Sequence, residues 1–325
     1  PEQGAGAMSS CFPAAASAGP VRIVSLGECM IEIGGQPLMR RYGGDTLNTA
    51  IYLARLLQGW PAEVHYATAL GDDPLSDGLL SQWQDEGLYT GRVARLPGRT
   101  PGLYLIETDA RGERRFFYWR HDSAAHHYFS GALDFATLLN PGQIDALYLS
   151  GITLALFPPA RREVLFEALA AFRRAGGLIW FDNNFRPALW RADQARDAHD
   201  RVLALADVAL LTLDDESLLH GPHTAQQTVQ RSLALGCREV VVKQGARPCV
   251  VATDAGQWHV PTQPVARVVD TSAAGDSFAA GYLAGRLRGV SIPEAAALAH
   301  RVSGAVIGWP GAIIPREATP APWTG

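Results

Sequence analysis

From Leu147 onward the chain alternates between short continuous apolar runs and longer stretches with an apolar residue every three or four positions. Residues 147–152, 178–183, 208–213 and 239–245 are the runs, and a strand that is apolar throughout belongs in a sheet covered on both faces. Residues 158–175 and 193–205 have helical spacing, so the pattern predicts βαβ units and a parallel sheet. Upstream, residues 21–28 and 64–70 read as further strands. Asp45 or Thr46 caps a helix that continues through Leu57, and Asp73 with Pro74 opens another that Gly87 ends. Shorter β-like segments lie around Val250 and His259, and a final helix begins at Pro293.

One region departs from this rhythm. Residues 103–108 and 114–120 bracket Asp109-Ala110-Arg111-Gly112 and predict a β-hairpin whose second strand is both aromatic and basic. On an ordinary hairpin the aromatics would be core filling and the arginines a solvated face. Both types in one place also suit a lid over a polar, anionic ligand. The expected fold is α/β, a doubly wound and mostly parallel sheet flanked by helices over residues 21–320, with a small β-sheet lid formed by roughly 34–42 and 92–120.

Composition narrows the functions. At 325 residues with 47% hydrophobic content, the chain can build one large α/β domain with a small appendage. A formal net charge of −4, a pI near 6.2 and no basic run argue against a nucleic-acid partner. Cys11, Cys29, Cys237 and Cys249 have no metal-ligand spacing, which fits a reducing, cytoplasmic setting. No apolar run is long enough to span a bilayer, so no membrane partner is expected. Residues 1–20 are rich in Ala, Gly, Ser and Pro and read as a disordered tail or a cloning remnant, with Met8 the candidate native start.

The chemistry concentrates in Val269-Asp270-Thr271-Ser272-Ala273-Ala274-Gly275-Asp276-Ser277-Phe278. A β-like segment leads into helical spacing, so Ala273 to Asp276 should form a first helical turn with four unpaired amides and the positive end of the helix dipole. Small side chains there let a phosphate approach the backbone. An isolated Asp at a helix start more often just complements the dipole. Inside a phosphate cradle, however, Asp276 would repel the ligand unless it had work to do, such as accepting the proton of an attacking hydroxyl.

Other candidates are weaker alone. Lys243 is the single lysine among 28 basic residues, a chance survivor or a position that needs a compact ammonium. Asp182-Asn183-Asn184-Phe185-Arg186-Pro187 ends a buried strand, where ligand residues gather in parallel sheets. Asp214-Asp215-Glu216 is either a solvated helix start or part of a magnesium shell. His121, His126 and His127 have no metal-ligand spacing, and neither a Walker motif nor a dinucleotide fingerprint is present.

Residues 270–278 resemble the Asp-Thr-x-Gly-Ala-Gly-Asp-x-Phe signature of the ribokinase-type (PfkB) sugar kinases, with Ala273 in place of the first glycine. Gly43-Gly44 is similar to that family's sugar-side glycine pair, and 182–186 to its Asp-x-Asn-x-Arg. Lys243-Gln244-Gly245 is similar to its nucleotide-side segment with Pro248 replacing a glycine, and Glu216 to the end of its Asn-x-x-Glu with Leu213 at the asparagine. The resemblance implies a ribokinase-like kinase using ATP and Mg²⁺, with a monovalent cation left open. It implies catalysis by Asp276 with the backbone of Ala273, Ala274 and Gly275. It places Gly44, Asp45, Asn48, Tyr104, Tyr118, Arg120, Arg186 and Asp276 on the sugar, and Asn184, Lys243, Gly245, His300 and residues 273–275 on ATP. Glu216 would act on the metal indirectly.

Residues 27–32, 43–49, 117–120, 183–190 and 311–316 further resemble the sugar-acid kinases of that family. Guanidinium pairs from Arg120 and Arg186 would suit a carboxylate. Rival readings are a neutral-sugar kinase acting on fructose or ribose, and a non-catalytic sugar-responsive binding protein. A homo-oligomer through the lid is also open.

Overall fold

The computed structural model describes residues 11–13, 19–35, 37–108 and 114–321. Among these, nine strands form one sheet in the spatial order Gly256–Val260, Cys249–Thr253, Glu239–Lys243, Val208–Thr212, Leu178–Asp182, Ala146–Ser150, Val21–Leu26, Ala62–Leu70 and Val93–Arg95. Every pairing from Glu239–Lys243 to Val93–Arg95 is parallel, and the two strands at the other edge are antiparallel.

Alternation along the central strands sends Tyr148, Trp180, Leu210 and Val241 into one apolar cluster and Leu147, Ile179, Leu211 and Val242 into another. Helices Asp45–Leu56, Ala274–Leu287 and Ile292–Val306 cover the first face, and Pro159–Arg174, Ala192–Leu203 and Ala225–Leu235 the second. Two covered faces are the reason these strands read as unbroken apolar runs. Strand order reverses about Val21–Leu26, and in such sheets ligands bind in the crevice at the carboxyl ends of the strands flanking the reversal.

The signature helix is locked to the one that follows it. A Cβ on Gly281 would lie 2.8 Å from the Ala299 Cα, and one on Gly285 would lie 2.8 Å from the Ala295 Cα, so the two backbones touch where neither can carry a side chain.

A second sheet of four strands, in the order Met39–Gly43, Met30–Gly34, Gly102–Thr108 and Arg114–Trp119, forms the lid. Its register sets Arg41, Glu32, Tyr104 and Tyr118 in one cross-strand row. The lid therefore starts at Met30 rather than 34, because Met30–Gly34 pairs with Met39–Gly43 on one side and with Gly102–Thr108 on the other. Residues 92–101 are not part of it, since Val93–Arg95 pairs with Ala62–Leu70 in the main sheet. The expected hairpin turn at 109–112 lies outside the described residues.

Other boundaries differ locally. Gly44 rather than Asp45 or Thr46 is the N-cap of helix Asp45–Leu56. Strand Ala146–Ser150 stops early, because the Ser150 side chain caps helix Gly151–Leu156. Leu213 opens helix Leu213–His220 instead of ending a strand. Helix Ala225–Leu235, opened by the capping box of Thr224 and Gln227, was not anticipated. In the expected tail, residues 1–10 and 14–18 lie outside the described residues, but Phe12 is buried, its ring 5.6 Å from Trp180, and Trp180 Nε1 donates to the Cys11 carbonyl at 3.3 Å. One large apolar side chain among small residues is enough to dock that part of the chain. All four cysteines are free, and among the described residues no helix is long and apolar enough to cross a membrane.

Candidate active site

Helix Ala274–Leu287 begins one residue later than its spacing suggests, with Ala273 as N-cap, and the residues before it are not a strand. The Ala274 amide donates to the Thr271 carbonyl at 3.2 Å, so the expected set of four free donors is reduced. Gly275 and Asp276 are first-turn positions without helical acceptors. The turn is braced from behind. Asp270 accepts from the Ser272 amide at 3.0 Å and from the Gly311 amide at 3.0 Å, while the Ser277 and Ser303 hydroxyls donate to the Ala273 and Ala274 carbonyls at 2.7 and 2.9 Å.

Lys243 closes strand Glu239–Lys243 and donates from Nζ to Asp182 Oδ2 at 2.6 Å, both side chains being buried. The same Nζ lies 3.4 Å from where a Cβ on Gly275 would stand, so the ammonium rests against the turn because residue 275 has no side chain. Asp276 is buried, and Asn48 Nδ2 donates to its Oδ2 at 2.8 Å. Asp45, in the first turn of Asp45–Leu56, accepts from Asn184 Nδ2 at 2.7 Å. Gly44 has an extended backbone that any residue adopts, but a Cβ there would lie 2.1 Å from the Glu28 carbonyl oxygen. Glycine is required by space.

Burial pushes the Asp276 carboxyl well above the usual carboxylate range, and the charge of Asp45 pushes it further, against the Asn48 hydrogen bond and the Lys243 ammonium. Burial likewise raises Asp45. A base must be ionised to act, so kcat/KM should fall on the acid side around a pKa higher than that of an ordinary carboxylate. Replacing Asp45 with Asn removes one negative charge beside Asp276 and should move that limb to lower pH, whatever it does to the maximum rate. A pH profile of kcat/KM checks this, and an unmoved limb would exclude the coupling.

All eight residues expected on the sugar line one cleft of about 1060 Å³. Tyr104 donates to Glu32 Oε2 at 2.6 Å with its ring 5.8 Å from that of Tyr118, and Arg120 is ion-paired with Glu28. Arg186, half exposed, stands 3.5 Å from Asp215. A separate cavity of about 480 Å³ beside His65 and Arg92 holds none of these residues.

The residues expected on ATP are less tightly grouped. Asn184 lines the cleft at φ +20°, the one non-glycine with positive φ among the described residues. Ala273, Ala274 and Gly275 form the turn, the Lys243 ammonium rests against it, and Gly245 (φ +62°) follows Lys243. His300, on helix Ile292–Val306, has its Nε2 3.1 Å from the Val260 carbonyl and its ring 5.0 Å from Phe278, and like residues 243, 245 and 273–275 it does not line the sugar-side cleft.

Glu216 is buried in the first turn of Leu213–His220, and burial pushes its carboxyl up to about 7. It accepts from Asn183 Nδ2 at 3.0 Å, while Asn183 Oδ1 accepts from the amides of Thr212 and Asn184 at 2.9 and 3.0 Å. Glu216 thus reaches the site through Asn183. No group of three His, Cys, Asp or Glu forms a metal cage among the described residues. Glu28 and Glu32, which local spacing does not single out, also line the cleft, Glu28 two residues after strand Val21–Leu26 and Glu32 within strand Met30–Gly34.

A buried acid at a helix start, with an ammonium against the same turn, at the carboxyl edge of a doubly wound sheet, is the arrangement of a phosphoryl-transfer enzyme of the ribokinase-like class. The sequence matches the pfkB family of carbohydrate kinases over residues 22–319, and the chain belongs to that family. It is 46% identical over 305 residues to the 2-dehydro-3-deoxygluconokinase of Dickeya dadantii, covering 92% of this chain and 98% of that one. It is 44% identical over 306 residues to the enzyme of the same name from Escherichia coli K12, covering 92% and 99%. Among solved structures, the fructokinase with bound ATP from Xylella fastidiosa superposes with a TM-score of 0.76 at 25% identity, covering 92% of this chain and 95% of that one.

Proposed function

We propose that the protein phosphorylates the primary hydroxyl of 2-keto-3-deoxygluconate (2-dehydro-3-deoxygluconate) with ATP, giving 2-keto-3-deoxy-6-phosphogluconate and ADP. The observation that carries this reading is the position of Asp276, buried on the anion turn and lining the same cleft as Arg120 and Arg186. Asn48 occupies its Oδ2, which leaves Oδ1 for the sugar hydroxyl. Asp276 takes that proton as the hydroxyl oxygen attacks the γ-phosphorus, and ADP leaves in line. The amides of the first turn and the Lys243 ammonium face the charge that develops on the transferred phosphoryl.

A magnesium ion carried by the nucleotide would supply neutralisation of the phosphate charge. A nucleotide-borne ion suits a site where no three-ligand cage forms among the described residues, and Glu216, acting through Asn183, is the carboxylate we assign to its outer shell. The arginines favour a sugar acid over the neutral-sugar reading.

ADP release with 2-keto-3-deoxygluconate, fructose and ribose tests the assignment. Preference for fructose or ribose would overturn the substrate, and release with none of them would overturn the activity. Arg186→Leu should raise KM for the acid about 10- to 100-fold with a smaller change in kcat, the effect of losing a charged hydrogen bond. Steady-state kinetics reads it, and an unchanged KM would remove Arg186 from the carboxylate site.

A further inference from the structure

A cleft that takes a sugar acid needs a cation for the carboxylate, yet Arg120 is already held by a buried acid. Glu28 lies two residues beyond strand Val21–Leu26, its side chain is 3% exposed, and it accepts from Arg120 Nη2 and from Ser123 Oγ, the latter at 3.2 Å. Three neighbouring segments are shaped around it. Gly44 can carry no Cβ because of the Glu28 carbonyl oxygen, and a Cβ on Gly102 would stand 3.0 Å from Glu28 Oε1 and 3.4 Å from the Arg120 Cβ. Ser123 in turn caps the helix Ala124–His127, accepting from the His126 amide at 3.1 Å. Gly102 opens one lid strand and Arg120 follows the other, so Glu28 ties down the root of the second strand and lies close against that of the first.

We propose that Glu28 is the positioning residue that fixes the Arg120 guanidinium at the root of the lid, and that it thereby sets the preference for a sugar acid over an uncharged analogue. This rests on the sugar-acid kinase reading above. A guanidinium has five N–H donors in a rigid plane, and Glu28 takes one N–H of Nη2, so the other Nη2 N–H and the neighbouring donor on its edge are left to meet a second carboxylate in a fixed orientation. Without Glu28 the guanidinium keeps its charge but loses its orientation, and the loss is felt by a ligand that needs planar pairing. A brace for the lid alone would affect charged and uncharged ligands equally.

The experiment compares Glu28→Ala, Glu28→Asp and Glu28→Gln with Arg120→Leu and the Glu28→Ala/Arg120→Leu double variant. The readouts are kcat and KM for 2-keto-3-deoxygluconate, the inhibition constant of its carboxamide, and Tm. Glu28→Ala should raise KM for the acid about tenfold, with kcat and carboxamide binding changed far less. Glu28→Asp, which keeps the charge but draws it back by one methylene, should do the same and carries the test should the alanine variant not fold. Glu28→Gln, whose Oε1 still accepts, should recover most of the affinity. In the Arg120→Leu background, Glu28→Ala should add no further loss. Equal shifts for acid and carboxamide, or independent effects in the double variant, overturn the proposal. A wild-type protein that does not turn over the acid overturns the substrate reading and this proposal with it.

Discussion

Asp276→Asn is expected to lower turnover by about 100- to 10,000-fold, the usual worth of a positioned general base, while ATP still binds. Asn fills the same volume and can still meet Asn48, but it cannot accept the hydroxyl proton. The variant should also be at least as stable as the parent at pH 8. The folded pKa of Asp276 is raised above its unfolded value, so the native state binds the proton more readily and stability declines as pH rises from the unfolded toward the folded pKa. Above the folded pKa the full cost of a buried carboxylate is present, and Asn removes it. Single-turnover kinetics with a Tm measured at pH 8 checks both halves. Near-parental turnover would rule Asp276 out as the base.

Lys243→Met should cost about 3–5 kcal/mol of stability, because it strands a buried carboxylate rather than merely deleting a contact. Asp182 is as buried as its partner, and the pair is 2.6 Å apart. KM for ATP should rise as well, since the ammonium that lies against Gly275 is gone. Adding Asp182→Asn should restore most of the stability but not the nucleotide affinity. Urea denaturation and ATP kinetics separate the two roles, and recovery of both together would mean that Lys243 is only half of a structural ion pair.

The main sheet was legible because its strands are covered on both faces and so carry continuous apolar runs. The lid was legible only in part. Tyr104 and Tyr118 announce a hairpin, but Met30–Gly34 is five residues long and sits between loops, too short for alternation to distinguish it from a turn. Helix Ala225–Leu235 carries a local start signal, the capping box of Thr224 and Gln227. In the site, Asp276, Gly275 and Lys243 could be singled out by type and place. Glu28 could not, because an acid after a strand is ordinary until the guanidinium it holds, 92 residues away, is brought beside it.

The sequence by itself determined the α/β alternation, the helix that starts at the anion turn and the acid placed on it, because these follow from local spacing and backbone chemistry. Only the tertiary structure decided which charges face each other: Lys243 with Asp182, Arg120 with Glu28, Asp45 near Asp276. Those pairings join segments far apart in the chain, and both the proton affinity of the base and the grip on the substrate's acid group depend on distances and burial that no local pattern encodes.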